Sequence, residues 1–388
     1  MSKVRLRIVH LTTLILIAGC SGVDFENAPS QVCSDLNRAY GQNSCKLNPD
    51  GSRDFDYSVY TGEVDILFVD DNSGSMYTEQ EKMANQFPGF LDSLANFSYQ
   101  IAITTTDVNG TAPGQDGRFL NFASGQTILK NSSRVKDSVH DQNINRFQTT
   151  IKRSETLQCP NNHGCPSGDE RGIYALNRAM ARSENTAFFR PGGHLAIVVL
   201  SDEDERSSGG GASGSEVNGG AISDKYKAEN LDLPETFVRQ TKVHLPADKS
   251  VSVHSIIIRP AIAGYAADTT CWQSQNAQGN GVKGYYGTQY AMLSFPTSAL
   301  KSLGNLATGT MGSICSANYT QEMGNIAEHI KDETLQLPCT PDKSTLKVSF
   351  APSPAQQTKF NVDSSNRLVF EPALAAGTKV HLKFRCPS

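Results

Sequence analysis

The sequence predicts an α/β protein, a doubly wound and mostly parallel sheet flanked by helices, with a small all-β module at its C-terminal end. Three observations carry this. The runs 64–69 (VDILFV) and 194–200 (HLAIVVL) are apolar enough for strands buried on both faces of a parallel sheet. Each run stops abruptly at a polar, acidic stretch, and strand-like and helical segments alternate through the middle of the chain. Beyond Cys339 the pattern changes to short strands separated by turns, with no helical spacing between them.

In chain order, residues 1–19 read as an export signal. Lys3, Arg5 and Arg7 form a positive start, and the apolar core from Leu11 to Ala18 is too short to span a bilayer. The end of that core, Ile17-Ala18-Gly19-Cys20, resembles a bacterial lipobox. The resemblance implies cleavage before Cys20 and a diacylated cysteine at the new N-terminus, and two chains anchor stably where one does not. Ser21 implies sorting to the outer membrane in a diderm cell, facing either the periplasm or the cell surface. A plain signal peptide ending in a chance Gly-Cys is the competing reading.

The chain has 388 residues, 38% of them hydrophobic and 19% charged, enough for a sizeable core. Loss of residues 1–19 takes three positive charges and no negative one from a formal net charge of -4, which leaves -7. An acidic surface argues against a nucleic-acid partner. Nine cysteines less Cys20 leave eight, and an oxidising compartment makes an even set a disulfide framework. Connectivity is not deducible from sequence. Nearest-neighbour pairing gives Cys33–Cys45, Cys159–Cys165, Cys271–Cys315 and Cys339–Cys386. The run Cys159-PNN-His163-Gly-Cys165 also suits part of a zinc site, but it has no fourth ligand nearby.

Residues 20–61 are polar, with little apolar periodicity, and read as a tether carrying a local disulfide. The α/β domain then spans 62–338. Its first strand ends at Asp70-Asp71, and Asn72, Ser73, Gly74 and Ser75 are turn and helix-capping residues. From Thr78 a helix is predicted, with Met83, Phe87, Phe90, Leu91 and Leu94 on one face. Tyr99–Thr105 makes a second strand, followed by a loop with Asp107 and Gly110, a hairpin-like segment through Phe119 to Leu129, and a mostly helical stretch from Ser132 to Ile151. A polar loop from Cys165 leads to a helix that starts near Gly172. The strand 194–200 runs into Ser201-Asp202-Glu203-Asp204-Glu205 and a Gly/Ser-rich insertion over 207–221. A helix around Tyr226 to Thr241, a strand from Val251 to Ile258, and a long irregular loop to about Phe295 follow. That loop carries Trp272, Tyr285, Tyr286 and Tyr290, as a partner contact or as packing under the loop. A helix near Pro296 to Leu306, a strand near Thr310 to Ile314 and a helix from Tyr319 to Leu335 complete the alternation. Residues 339–388 form the β module, with strands at 346–350, 358–362, 367–370 and 379–384.

Asp71, Ser73 and Ser75 offer one carboxylate and two hydroxyls at alternate positions of a strand-to-helix loop, at the carboxyl edge where open α/β sheets bind ligands. Such a set suits a hard cation. The hydroxyls are neutral and leave the ion under-compensated. An EF-hand is excluded because its sixth and twelfth positions here are Met76 and Lys82, and the phosphate-binding GxxxxGK[ST] pattern is missing. A plain solvated turn remains as the bland alternative.

The pattern Asp71-x-Ser73-x-Ser75, with its strand before and its helix after, resembles the metal-ion-dependent adhesion site of von Willebrand factor type A domains. The resemblance implies a Rossmann-like domain over 62–338 and a divalent cation, magnesium first, with calcium or manganese as alternatives. Asp202 matches the second metal-site aspartate. The third loop of the family carries a threonine hydroxyl, and counting back six residues from Ile173 lands on Ser167. Asp169 or Glu170 can reach the metal instead, as ligand or in support, Thr104 to Thr106 are weaker alternatives, and Asp204 is left open. The hydroxyls would bind directly and the two aspartates through water, leaving a face for a partner's carboxylate. The last 50 residues resemble the β appendage of bacterial lipoproteins with such a domain. The implied function is an envelope-anchored lipoprotein that binds a protein or other acidic partner through the cation. A structural scaffold is the alternative and a metal-dependent hydrolase the third reading. The chain has no GxSxG elbow, no HExxH and no evident acid–base pair, and only Glu170 or Glu203 offers a base, so no enzyme is expected.

The anchor is directly testable. Cys20→Ala should move the protein from the membrane to the soluble fraction of a cell lysate; retention of the variant in the membrane would refute lipid anchoring at Cys20.

Overall fold

The computed structural model describes residues 29–40, 42–158, 166, 169–205, 228–276, 284–304, 306–332, 335–351, 354, 357–364, 366–372 and 374–388. The signal segment, Cys20, Cys159, Cys165, Ser167 and the Gly/Ser-rich insertion lie outside the described residues.

Helix α1 (Pro29–Tyr40) is followed by strands β1 (Cys45–Leu47), β2 (Arg53–Tyr60) and β3 (Glu63–Asp70). A 3-10 turn at Gly74–Met76 opens helix α2 (Tyr77–Ser93), which leads to β4 (Ser98–Thr105) and β5 (Leu129–Asn131). Helices α3 (Ser138–Ile151), α4 (Ser154–Gln158) and α5 (Gly172–Ala181) precede β6 (His194–Leu200). Next come α6 (Pro234–His244), β7 (Val251–Ile257), α7 (Thr269–Asn276), α8 (Thr288–Ser294) and α9 (Ser298–Ser302). Short strands β8 (Leu306–Ala307) and β9 (Met311–Ser313) lead to α10 (Thr320–Asp332). The chain ends in β10 (Leu335–Gln336), β11 (Lys347–Ala351), β12 (Lys359–Val362), β13 (Arg367–Glu371) and β14 (Lys379–Cys386).

The main sheet runs β5-β4-β3-β6-β7-β8, with β9 also on β7. Strands β4, β3, β6 and β7 are parallel, and β5 is an antiparallel edge. Alternate residues of β3 serve opposite faces, as the unbroken apolar run requires. Val64, Ile66 and Phe68 pack with Met83 and Phe87 of α2, Phe147 of α3 and Ile326 of α10. Leu67 and Val69 pack with Ile173 and Leu176 of α5, Phe237 of α6 and Tyr290 of α8. Helices on both faces make the sheet doubly wound. Each fully buried side chain of this size contributes about 1.5–3 kcal/mol, so strand positions are fixed by many independent contacts.

The region expected to be an irregular loop to Phe295 contains α7 and α8. Both are short, with little amphipathic signal, and the Cys271–Cys315 disulfide holds α7 to the segment after β9. The Cys33–Cys45 and Cys339–Cys386 disulfides also join the expected neighbours.

The reading of 20–61 as a tether is corrected from α1 onward. Strand β2 pairs along its whole length with β14, from Arg53 opposite Cys386 to Tyr60 opposite Lys379. Its Phe55, Tyr57 and Val59 point inward against Val380, Leu382 and Phe384, and Val32 and Leu36 of α1 cover them. The β module is therefore closed by both halves of the chain: a four-stranded sheet β1-β2-β14-β11 beside a three-stranded sheet β10-β13-β12.

Two polar clusters are buried at the opposite end of the main sheet from the Asp71 loop. Asp65 of β3 accepts from Nζ of Lys249 at 2.6 Å and from Nε of Arg190 at 2.7 Å, and Lys249 also donates to the carbonyls of Arg190 and Gly193. Beside it, a chain of hydrogen bonds links Ser250, His194, Ser252, His254 and Thr310 at 2.7–3.0 Å. Burial, and then the proximity of His329, hold the His194 and His254 imidazoles well below their ordinary range, so both rings are neutral in the folded protein. The unfolded chain protonates them near pH ~6.5 while the folded chain does not. The stability they contribute is full above that pH and is lost as the pH falls below it, by about 1 kcal/mol per ring for the first unit. The urea midpoint of the wild type should therefore fall more steeply below pH ~6.5 than that of His254→Gln. Parallel pH profiles would refute this role.

Candidate metal centre

The β3–β6 register brings the site together. Asp70 lies opposite Leu200, so the two strands release their chains side by side. The amide of Asp71 donates to the carbonyl of Leu200 at 3.0 Å, and the Ser201 hydroxyl donates to Oδ2 of Asp71 at 2.7 Å. The other Asp71 oxygen accepts from the amide of Ser73 at 2.9 Å, which folds the loop back on itself. The hydroxyls of Ser73 and Ser75 are 3.0 Å apart, and Ser75 donates to Oδ1 of Asp202 at 3.1 Å. Helix α2 braces this arrangement. The buried Gln80 amide donates to Oδ2 of Asp70 and to the carbonyl of Asp71, both at 3.1 Å.

Asp71, Ser73, Ser75 and Asp202 thus form one connected oxygen cluster from two loops. The two aspartates are fully buried while the two serines are half-buried. Oδ2 of Asp202 is buried with no hydrogen-bond donor. Burial raises the Asp71 carboxyl above its ordinary range, and burial together with the charges of Asp71, Glu203 and Glu79 raises Asp202 well above it. Acids so placed favour a nearby positive charge, which the N-terminal end of α2 supplies only in part. Among the described residues, no three His, Cys, Asp or Glu side chains converge closely enough to hold an ion alone. The donor set is mixed, carboxylate and hydroxyl, and suits a hard cation with retained water.

The remaining acids of 202–205 separate. Asp204, left open by the sequence, accepts from the amide of Gln289 at 2.8 Å and serves the N-terminal turn of α8. Burial pushes its pKa up to about 7 against the pull of the helix amides. Glu205 accepts from the amides of Ile173 and Tyr174 at 2.7 and 3.0 Å, which makes it the cap of α5, and Tyr290 adds its hydroxyl at 3.2 Å. Glu203 instead lies against Glu170, which is buried on the loop before α5. Ser167 lies outside the described residues. The hydroxyls of Thr104 and Thr105 are committed to the carbonyls of Gly114 and Arg118, away from the cluster.

Sequence reasoning missed two contributors. Ser201 fixes the Asp71 carboxylate, and its only signal was a hydroxyl residue directly after a buried strand. The Tyr285 amide donates to the carbonyl of Asp202 at 3.0 Å, which sets its half-buried ring at the rim.

No family model matches the chain, and no curated protein sequence does. Among solved structures, the pilus adhesin SpaC from Lactobacillus rhamnosus GG is 12% identical, with a TM-score of 0.33, over 87% of this chain and 43% of its own. The conserved hypothetical protein BatB from Bacteroides thetaiotaomicron is 14% identical, with a TM-score of 0.32, over 69% and 96%. A von Willebrand factor type A protein from Catenulispora acidiphila is 11% identical, with a TM-score of 0.31, over 87% and 61%. The chain spans less than half the length of SpaC.

The division of labour among the acids has a measurable consequence. Glu205→Ala should destabilise the fold by about 2 kcal/mol in urea titration, through loss of two cap bonds to the α5 amides. An unchanged midpoint would show that Glu205 does not cap α5.

Proposed function

We propose that this chain is an envelope lipoprotein held by Cys20, with a von Willebrand factor type A-like domain that binds an acidic partner through a divalent cation. The observation that carries the reading is the convergence of Asp71, Ser73, Ser75 and Asp202 at one sheet edge around a buried carboxylate oxygen with no donor. The donor chemistry fits magnesium, with calcium and manganese as the alternatives. Ser73 and Ser75 would hold the ion directly, with Asp71 and Asp202 through water. The cation would supply a positive centre at a half-open edge, which a carboxylate of a protein or another acidic ligand would complete. Ser201 and the Ser73 amide keep Asp71 aimed at the cluster without the partner's help.

The reading is of a binder and not an enzyme. Glu170 and Glu203, the two bases that a metal-dependent hydrolase would draw on, are both buried and lie against each other. The scaffold alternative, in which the cation only stabilises the fold, predicts metal binding without metal-dependent capture of a partner.

Calorimetric titration of magnesium, calcium and manganese into the wild type and Asp71→Ala tests the site. The wild type should bind at least one of the three, with affinity lowered at least tenfold, about 1.4 kcal/mol, in Asp71→Ala. A wild type that binds none would remove the adhesion-site reading. A variant that binds as tightly as the wild type would place the cation elsewhere.

A further inference from the structure

Beside the first cluster, the loop before α5 and the loop after β6 bring Glu170 and Glu203 into contact. Glu170 is 1% exposed and Glu203 9% exposed. One oxygen of Glu170, Oε2, is buried without a hydrogen-bond donor. Among the described residues no lysine or arginine forms an ion pair with Glu170. The adjacent guanidinium, Arg171, turns away: it meets Asp232 at 2.8 and 3.0 Å and Glu229 at 3.0 Å, and lies over the ring of Tyr174.

The neighbouring acids show what a compensated carboxylate looks like in this fold. Asp204 accepts from an amide at a helix N-terminus and Asp232 holds a guanidinium in a two-point contact, while Glu205 accepts from two helix amides although burial and the charge of Asp232 still raise its carboxyl well above the ordinary range. Glu170 has neither, although it is as deeply buried.

We propose that Glu170 and Glu203 hold a second divalent cation, a hard ion such as calcium or magnesium, next to the one at Asp71 and Asp202. This deepens the reading given above and rests on it. Magnesium keeps several of its waters and takes only one or two carboxylates from a protein, and calcium would fill its larger shell with further oxygens and water. Charge balance explains why a second ion is needed. Asp71, Asp202, Glu170 and Glu203 carry four formal negative charges within one buried edge, beside the buried Asp70, and a single divalent ion leaves at least two uncompensated. An acidic partner would then approach a negative surface. Two ions offset those four charges and leave the open face of the first ion attractive to a carboxylate. The half-buried ring of Tyr285, at the same rim, covers the pair from solvent only in part.

The competing account is a single proton shared between the two glutamates, and counting ions separates the two. The full-length chain in detergent is stripped with chelator and given calcium alone or magnesium alone, and the bound ions are counted by native mass spectrometry. The wild type should carry two, and the isosteric double variant Glu170→Gln with Glu203→Gln should carry one. One ion in the wild type that the double variant keeps would overturn the second position and leave the first standing. No ion in the wild type would overturn both. The wild-type count needs no substitution, so the test holds even if the double variant folds poorly.

Discussion

Burial of negative charge at the ends of a parallel sheet is the constraint to which the rest of this chain answers. An unpaired carboxylate in a protein interior costs several kcal/mol, and this chain buries one near the start of β3 and a row of them at the carboxyl edge. Each is met by a different device. Asp65 is held by an ammonium and a guanidinium, Asp232 by a guanidinium, and Asp204 and Glu205 by helix amides. Asp71 takes a hydroxyl and an amide. Among the described acids, Asp70, Asp202, Glu170 and Asp248 each keep one buried oxygen without a donor, and the first three lie at or beside the carboxyl edge. The site is found by subtraction as much as by motif.

The geometry that makes this subtraction possible comes from the parallel arrangement. Parallel neighbours end at the same edge, so the residues following β3 and β6 emerge together, and the helices that follow point their N-termini toward that edge. Glu205 exploits the N-terminus of α5 directly, and α2 begins just past Ser75. The packed helices on both faces brace the strand ends, so the residues directly after β3 and β6 start from rigid elements.

The central fold was legible because β3 and β6 are almost wholly apolar, and no other placement would bury those runs. Asp71, Ser73, Ser75 and Asp202 were legible because each follows such a strand immediately. The fate of Asp204 and Glu205 was not, since four successive acids look alike until the helices they cap are in place. The strand β2 was hidden by Asp54 and Asp56 on its outer face and by a partner, β14, more than 300 residues away. Its inward Phe55, Tyr57 and Val59 did alternate at period two, and that signal was overlooked among polar neighbours. Lys249 and Asp65 are 184 residues apart, a pairing that spacing alone does not reveal. Helix α7 has little apolar stripe and is held by a disulfide, while α8 is only seven residues long, buries Tyr290, Ala291 and Leu293, and takes Asp204 at its first turn.

The placement of the β module bears on how the metal edge would be presented. Strand β2 ends at Tyr60 and β3 begins at Glu63, so the module sits at the amino end of the main sheet. Helix α1 is tied to the same end, where the Tyr40 hydroxyl donates to Asp248 just before β7. The cluster at Asp71 lies beyond the opposite end of β3, and an eight-residue strand rises about 26 Å. The β module, closed by residues from both halves of the chain, and the cluster at Asp71 and Asp202 therefore occupy opposite ends of the main sheet.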